Sequence, residues 1–255
     1  MMPAKIKIYN SVVKKINYSN SGQYQKSVKL FYGNQKNFPD DLSGCHQFLS
    51  EKEIERSKRF FQKSDERTYV ISHALVNKKI SETLGLDFNK LKINYFDNKK
   101  PYAEKSNIDF NLSHSSNYFA FAISIYENIF VGVDIETVKM NLDIGSIVNN
   151  YFHKNEIDYI LNSDPNKPTR HQKFYEVWTK KEAVLKMLGI GLSDKLSELD
   201  MTQGECEIMI QDNGSFDVGV FSETFVYTLS LFEDLVLSLS ANRCVSIIPE
   251  HFENF

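Results

Sequence analysis

The chain has 255 residues, 42% of them hydrophobic, with 30 basic and 33 acidic side chains and a net charge of −3. That is enough for one large domain or two small ones, and the charge balance excludes the global basic field that draws nucleic acid or anionic membrane. Cys45, Cys206 and Cys244 are widely spaced and form no Cys-x-x-Cys pair, which points away from a disulfide framework or zinc site and towards a reducing cytoplasm.

The N-terminus lacks the apolar core of a signal peptide, and no apolar run is long enough to span a bilayer. Residues 1–26, rich in Lys, Asn and Ser, read as an extension with a short strand at 5–9. A strand is expected at 28–32. Ser50 with Glu53 three residues on is a capping box, opening a helix that carries Arg56, Lys58 and Arg59 and ends near Phe60-Phe61. A second helix is predicted over 65–84, stopped by Gly85. Arg67 lies in its first turn, where a cation opposes the helix dipole. An anion partner and a plain solvated arginine are equally good readings there. Strands follow at 91–96, 108–112 and 118–125, with a basic turn at 97–101 and the polar segment Ser113 to Asn117 read as a hairpin turn. Its hydroxyls, amides and imidazole are suited to a phosphate, although a plain polar turn needs no ligand.

Residues 130–136, Phe-Val-Gly-Val-Asp-Ile-Glu, alternate as a β-strand. Val131, Val133 and Ile135 face one way, towards a core; Gly132, Asp134 and Glu136 face the other. Two carboxylates on one strand face repel unless a cation lies between them, and an all-oxygen pair beside a small residue suits Mg²⁺. A solvated acidic face is the bland alternative. After a loop, the apolar residues of 144–152 recur at near-helical spacing, with Glu156 beyond them. A break at 163–168 precedes a helix over 169–188 that ends at Gly189. Lys181 falls inside its apolar stripe, while Glu182 and Lys186 lie at the edge. A lysine in an apolar seam needs an anion or must snorkel to water. Segments 205–210, 215–221, 225–232 and 236–240 read as antiparallel strands. Both halves run from helices to a strand meander, without a residue-level repeat.

The strand motif and Trp-Thr-Lys-Lys-Glu-Ala-Val-Leu-Lys at 178–186 stand about forty residues apart. This pair resembles the signature of the 4′-phosphopantetheinyl transferases, and the N-terminal half resembles the Sfp-type, surfactin-synthetase-activating class. The resemblance covers residues 28–240 and implies an α+β fold: a monomeric pseudo-dimer of two similar halves, each an antiparallel sheet packed with helices. Residues 27–128 would form the coenzyme A side and 129–255 the metal and carrier side, with the active site between them. It implies transfer of phosphopantetheine from coenzyme A to a serine of an apo carrier protein, with Mg²⁺ on Asp134, Glu136 and Glu182. By motif position, Arg56, Arg67, Lys100, Ser113, His114, Lys181 and Lys186 would contact coenzyme A. Lys186 and Glu182 would act in catalysis, and Glu156 would be the general base unless a metal-bound water takes that role.

Three residues depart from the pattern: Lys99 stands for glycine, His153 for a small residue and Thr179 for serine. The apolar segment 144–152 is expected to face the carrier. A Mg²⁺-dependent nucleotide pyrophosphohydrolase needs the same carboxylates without a carrier surface. A non-catalytic coenzyme A or carrier-binding module needs fewer of them.

Overall fold

The computed structural model describes residues 7–9, 26–162, 168–190, 194–202, 207–209, 224–232 and 234–252. In chain order the elements are β1 Lys7–Tyr9, β2 Ser27–Asn34, α1 Ser43–His46, α2 Glu51–Ser57, α3 Lys63–Leu84, β3 Ile93–Tyr95, β4 Pro101–Ala103, β5 Asp109–Ser115 and β6 Tyr118–Ser124. They continue with β7 Val131–Thr137, α4 Gly145–Tyr151, α5 Lys154–Leu161, α6 Arg170–Leu188, β8 Glu207–Met209, β9 Phe225–Phe232, β10 Leu235–Ala241 and β11 Ser246–Phe252. The arrangement is α+β, as expected. The predicted strand at 215–221 lies outside the described residues.

Two sheets carry the architecture. One runs β11-β2-β6-β5, the other β7-β10-β9, with small pairs β3-β4 and β1-β8. Every pairing is antiparallel except β11 on β2. That last strand returns from the C-terminal end to the sheet of the N-terminal half. Phe252 stacks there on Phe31, with ring centroids 5.6 Å apart. Helix α2 opens on a capping box in which Ser50 and Glu53 exchange hydrogen bonds, and Glu53 also reaches His73 and Asn77 in the middle of α3, which stops at Gly85 in the left-handed region, φ 63°.

The alternation of β7 has the expected result. Val131, Val133 and Ile135 are fully buried against Val28, Leu30, Leu237 and Leu239. The opposite face is covered rather than solvated, because α6 lies on it. A Cβ at Gly132 would sit 2.0 Å from the Ala183 carbonyl oxygen and 2.4 Å from the Met187 nitrogen. Glycine is therefore what lets helix backbone reach strand backbone.

The other edge of β7 meets side chains instead of a strand. Asp109, Asn111, Ser113 and Ser115 of β5 accept from the N–H groups of Val131, Val133, Ile135 and Thr137, at 2.6, 2.9, 3.5 and 3.2 Å. This ladder joins the two sheets and explains why β5 runs through Ser115. Residues 113–115 are strand, not the hairpin turn expected from their polarity. Their hydroxyls satisfy backbone donors that no strand covers.

Segment 144–152 also differs from expectation. Ile144, Val148 and Phe152 are core residues, and Phe152 stacks on Phe174 and Trp178. A carrier has no access to Phe152. Of this segment, Tyr151 is the exposed large apolar side chain, with Met140 exposed nearby in sequence.

Candidate active site

The close packing of α6 on β7 sets the two sequence motifs face to face. Asp134 is 3% exposed. Its Oδ1 accepts from Lys186 Nζ at 2.6 Å and from Ser113 Oγ at 2.8 Å, and Lys186 also reaches Ser113 Oγ at 2.9 Å. Glu136 Oε2 accepts from Ser115 Oγ at 2.6 Å. Glu182 comes from α6, one turn before Lys186.

The cluster is electrostatically unsatisfied. Asp134 Oδ2 and Glu182 Oε1 are both buried and accept no hydrogen bond. Burial, then the neighbouring Asp134 charge, pushes Glu182 up to about 7, with Lys186 opposing and Glu136 reinforcing. Burial and Asp134 likewise raise Glu136, against the Ser115 hydrogen bond and Lys186. Two orphaned hard oxygens among mutually repelling carboxylates are the donor set a divalent cation fits. Among the described residues, however, no group of three or more His, Cys, Asp or Glu is already arranged around such an ion.

The raised Glu182 makes a stability prediction for the cation-free protein. The folded state holds this proton up to about pH 7, whereas an ordinary glutamate releases it near 4.5. Between those values the native state binds more protons than the unfolded chain, so stability falls as pH rises from about 4.5 to about 7. Glu182→Gln is expected to remove Glu182's share of that fall. Thermal melts in chelator across the window test it, and parallel slopes for the two proteins would refute it.

Lys186 stands at the cluster, whereas His114 is exposed on the face of β5 opposite Ser113 and Ser115, near enough to feel the charges of Lys186 and of His73 and Asp65 on α3. The His114 pKa is lowered by desolvation, then by the charges of His73 and Lys186. Arg56 stacks over Tyr69, 5.6 Å from its centroid. Both line a cavity of about 170 Å³ with Glu53, Asn77 and Tyr95. Ser113 is at the cluster too, but its hydroxyl is bonded to Asp134 and Lys186 rather than presented to a phosphate.

Four other candidate residues are committed elsewhere. Arg67 Nη2 donates to the carbonyls of Gln35, Phe38 and Pro39, so backbone oxygen is its anion. Lys100, 9% exposed, bonds Asp109 at 2.8 Å and the carbonyls of Met187 and Val131. It ties the N-terminal half to the C-terminal end of α6, where helix carbonyls favour a cation. Its neighbour Lys99 has φ 66°, which explains why glycine suits that position.

Glu156 and Lys181 correct the remaining expectation. Both are 0% exposed, and Lys181 Nζ meets Glu156 Oε2 at 2.8 Å. Glu156 also accepts from the N–H groups of Met201 and His153, each at 2.8 Å, while Lys181 bonds the carbonyls of Leu196 and Leu199. Burial pushes the Glu156 carboxyl up while Lys181 pulls it back. His153 fits its unusual place because it is the N-cap of α5 in a capping box with Glu156. The pair is a buried, fully bonded strut, neither snorkelling nor aimed at a phosphate. Lys181→Met is therefore expected to cost stability, about 3–5 kcal/mol for a buried charge left alone. Urea midpoints check this, and an unchanged midpoint would reject it.

The role of Ser115 had no signal in residue type alone. It emerges only from the register of β5 against β7.

The chain matches two family descriptions: the 4′-phosphopantetheinyl transferase superfamily over residues 130–247, and a 4′-phosphopantetheinyl transferase N-terminal region over 36–125. It is 31% identical over 147 residues to the 4′-phosphopantetheinyl transferase ffp of Bacillus subtilis, covering 57% of this chain and 62% of that protein. It is 30% identical over 158 residues to HetI of Nostoc sp., covering 60% and 64%. With Sfp of Bacillus subtilis strain 168 it shares 28% identity over 173 residues, covering 66% and 74%. The chain thus spans under two thirds of the first two of these relatives and about three quarters of the third. The 36–125 match holds β5 and the 130–247 match holds β7 and α6, so the two together cover most of the chain and every element that builds the carboxylate cluster, and on these grounds the chain belongs to the 4′-phosphopantetheinyl transferase superfamily.

Proposed function

We propose that this protein transfers 4′-phosphopantetheine from coenzyme A to a serine of an apo carrier protein, releasing 3′,5′-ADP, with Mg²⁺ on Asp134, Glu136 and Glu182. The observation that carries the reading is the pair of buried, unpartnered carboxylate oxygens on β7 and α6, beside Lys186. A bound Mg²⁺ supplies a hard Lewis acid for the charge of the pyrophosphate.

The chain's own residues do the rest. The Lys186 side chain, 29% exposed, turns its ammonium to the same developing charge. His114, with its pKa lowered, serves at neutral pH as an uncharged hydrogen-bond partner for a phosphate oxygen. Arg56, at the cavity between α2 and α3, is positioned for the nucleotide end. Glu156 is sealed in the core and out of reach of the serine proton, which removes it as the general base. Exposed Tyr151 and Met140 offer the carrier an apolar contact.

The test is mass spectrometry of fatty-acid, polyketide and nonribosomal-peptide apo-carriers after incubation with the protein, coenzyme A and Mg²⁺. At least one carrier should gain phosphopantetheine on a serine. If no carrier is modified but coenzyme A is cleaved without one, the pyrophosphohydrolase reading takes its place.

A further inference from the structure

Two serines of β5 repeat one geometry against two carboxylates of β7. Ser113 Oγ accepts from Ile135 N at 3.5 Å and donates to Asp134 Oδ1 at 2.8 Å. Ser115 Oγ accepts from Thr137 N at 3.2 Å and donates to Glu136 Oε2 at 2.6 Å. The direction of each bond is forced. A backbone N–H can only donate, so the hydroxyl oxygen accepts there and keeps its single proton for the carboxylate. Each serine thus ties a carboxylate to the backbone of the residue that follows it. Residues 113 and 115 share one face of β5, and 134 and 136 share one face of β7, so the unit recurs with the two-residue period of a strand.

The two units differ in one respect. Asp134 has Lys186 as a second donor, whereas among the described residues Ser115 is the hydrogen-bond donor to Glu136. A glutamate has long, mobile side-chain torsions, and fixing them costs rotamer entropy that a pre-oriented carboxylate has already lost.

We propose that Ser115 is a positioning residue for the divalent cation, holding Glu136 in its ligating orientation. This rests on the cation site of the proposed transferase. Partners that orient a ligand in this way typically change metal affinity by about 10- to 100-fold.

Mn²⁺ is the probe, counted as free ion by electron paramagnetic resonance with full-length protein and no coenzyme A or carrier. Ser115→Ala should weaken Mn²⁺ binding about tenfold or more, and Ser115→Thr should restore it. On a Glu136→Gln background, Ser115→Ala should add little, because its effect acts through that carboxylate. Transfer by Ser115→Ala should need more Mg²⁺ for half-maximal rate, with kcat at saturating Mg²⁺ close to wild type. Should the alanine variant not fold, Ser115→Cys, with a weak donor of similar size, takes its place under the same criteria. Tight wild-type binding left unchanged by loss of the hydroxyl overturns the positioning role alone. A wild-type protein that binds no Mn²⁺ overturns the cation site, and this assignment with it.

Discussion

Gly132→Ala is expected to destabilise the protein by about 3 kcal/mol, at the upper end of overpacking costs, and Gly132→Val to leave no stable fold. A Cβ at this position meets helix backbone, the Ala183 oxygen at 2.0 Å and the Met187 nitrogen at 2.4 Å. Backbone cannot rotate away as a side chain does. The helix must lift from the strand, and Ser240, whose hydroxyl donates to the same Ala183 carbonyl at 2.7 Å, would lose its bond. Lifting α6 also carries Glu182 and Lys186 away from Asp134, so transfer should fall further than the folded fraction does. Gly44 is the control, since a Cβ there meets nothing within 4 Å. Denaturant midpoints read the effect directly. A Gly132→Ala protein with the midpoint of Gly44→Ala would mean that α6 does not depend on this approach.

The same contact shows how much of the site the sequence carried. The alternation of β7, the small residue on its carboxylate face and the long helix ending at Gly189 are local patterns. They correctly placed Asp134, Glu136, Glu182 and Lys186 on the two elements that meet. The α2 capping box and the glycine stops of α3 and α6 were legible for the same reason. Partners that come from distant segments were not. A lysine in an apolar stripe left Lys181 to meet an anion or snorkel to water, and periodicity could not say that Glu156 and two carbonyls of residues 196 and 199 take its charge. Ser113 to Ser115 looked like a turn because their polarity is unusual for a buried strand, and only the open edge of β7 gives those hydroxyls their work. Strand β11, which no sequence pattern announced, pairs parallel with β2, more than 200 residues earlier in the chain, and carries Pro249. Proline is tolerated there because β11 is the edge of its sheet.

The other large effect belongs to the carboxylates. Asp134→Asn is expected to lower transfer by about 10²- to 10³-fold, the usual consequence of deleting one preorganised charge-stabilising group, while the fold holds or gains stability. The substitution keeps an oxygen to accept from Ser113 and removes the charge that helps push Glu182 up to about 7. Relieving that repulsion should bring the Glu182 pKa down and make the cation-free protein more stable near neutral pH, since less proton uptake is then tied to folding. Lys186 loses its ion pair but is partly exposed and can be solvated. Glu182→Gln should lose transfer comparably, because it removes the charge of a ligand carboxylate. Lost activity with gained stability is the signature of like charges held together for function rather than for folding. Full transfer by Asp134→Asn at limiting Mg²⁺ would take the carboxylate out of the chemistry and leave Lys186 to carry the pyrophosphate charge without it.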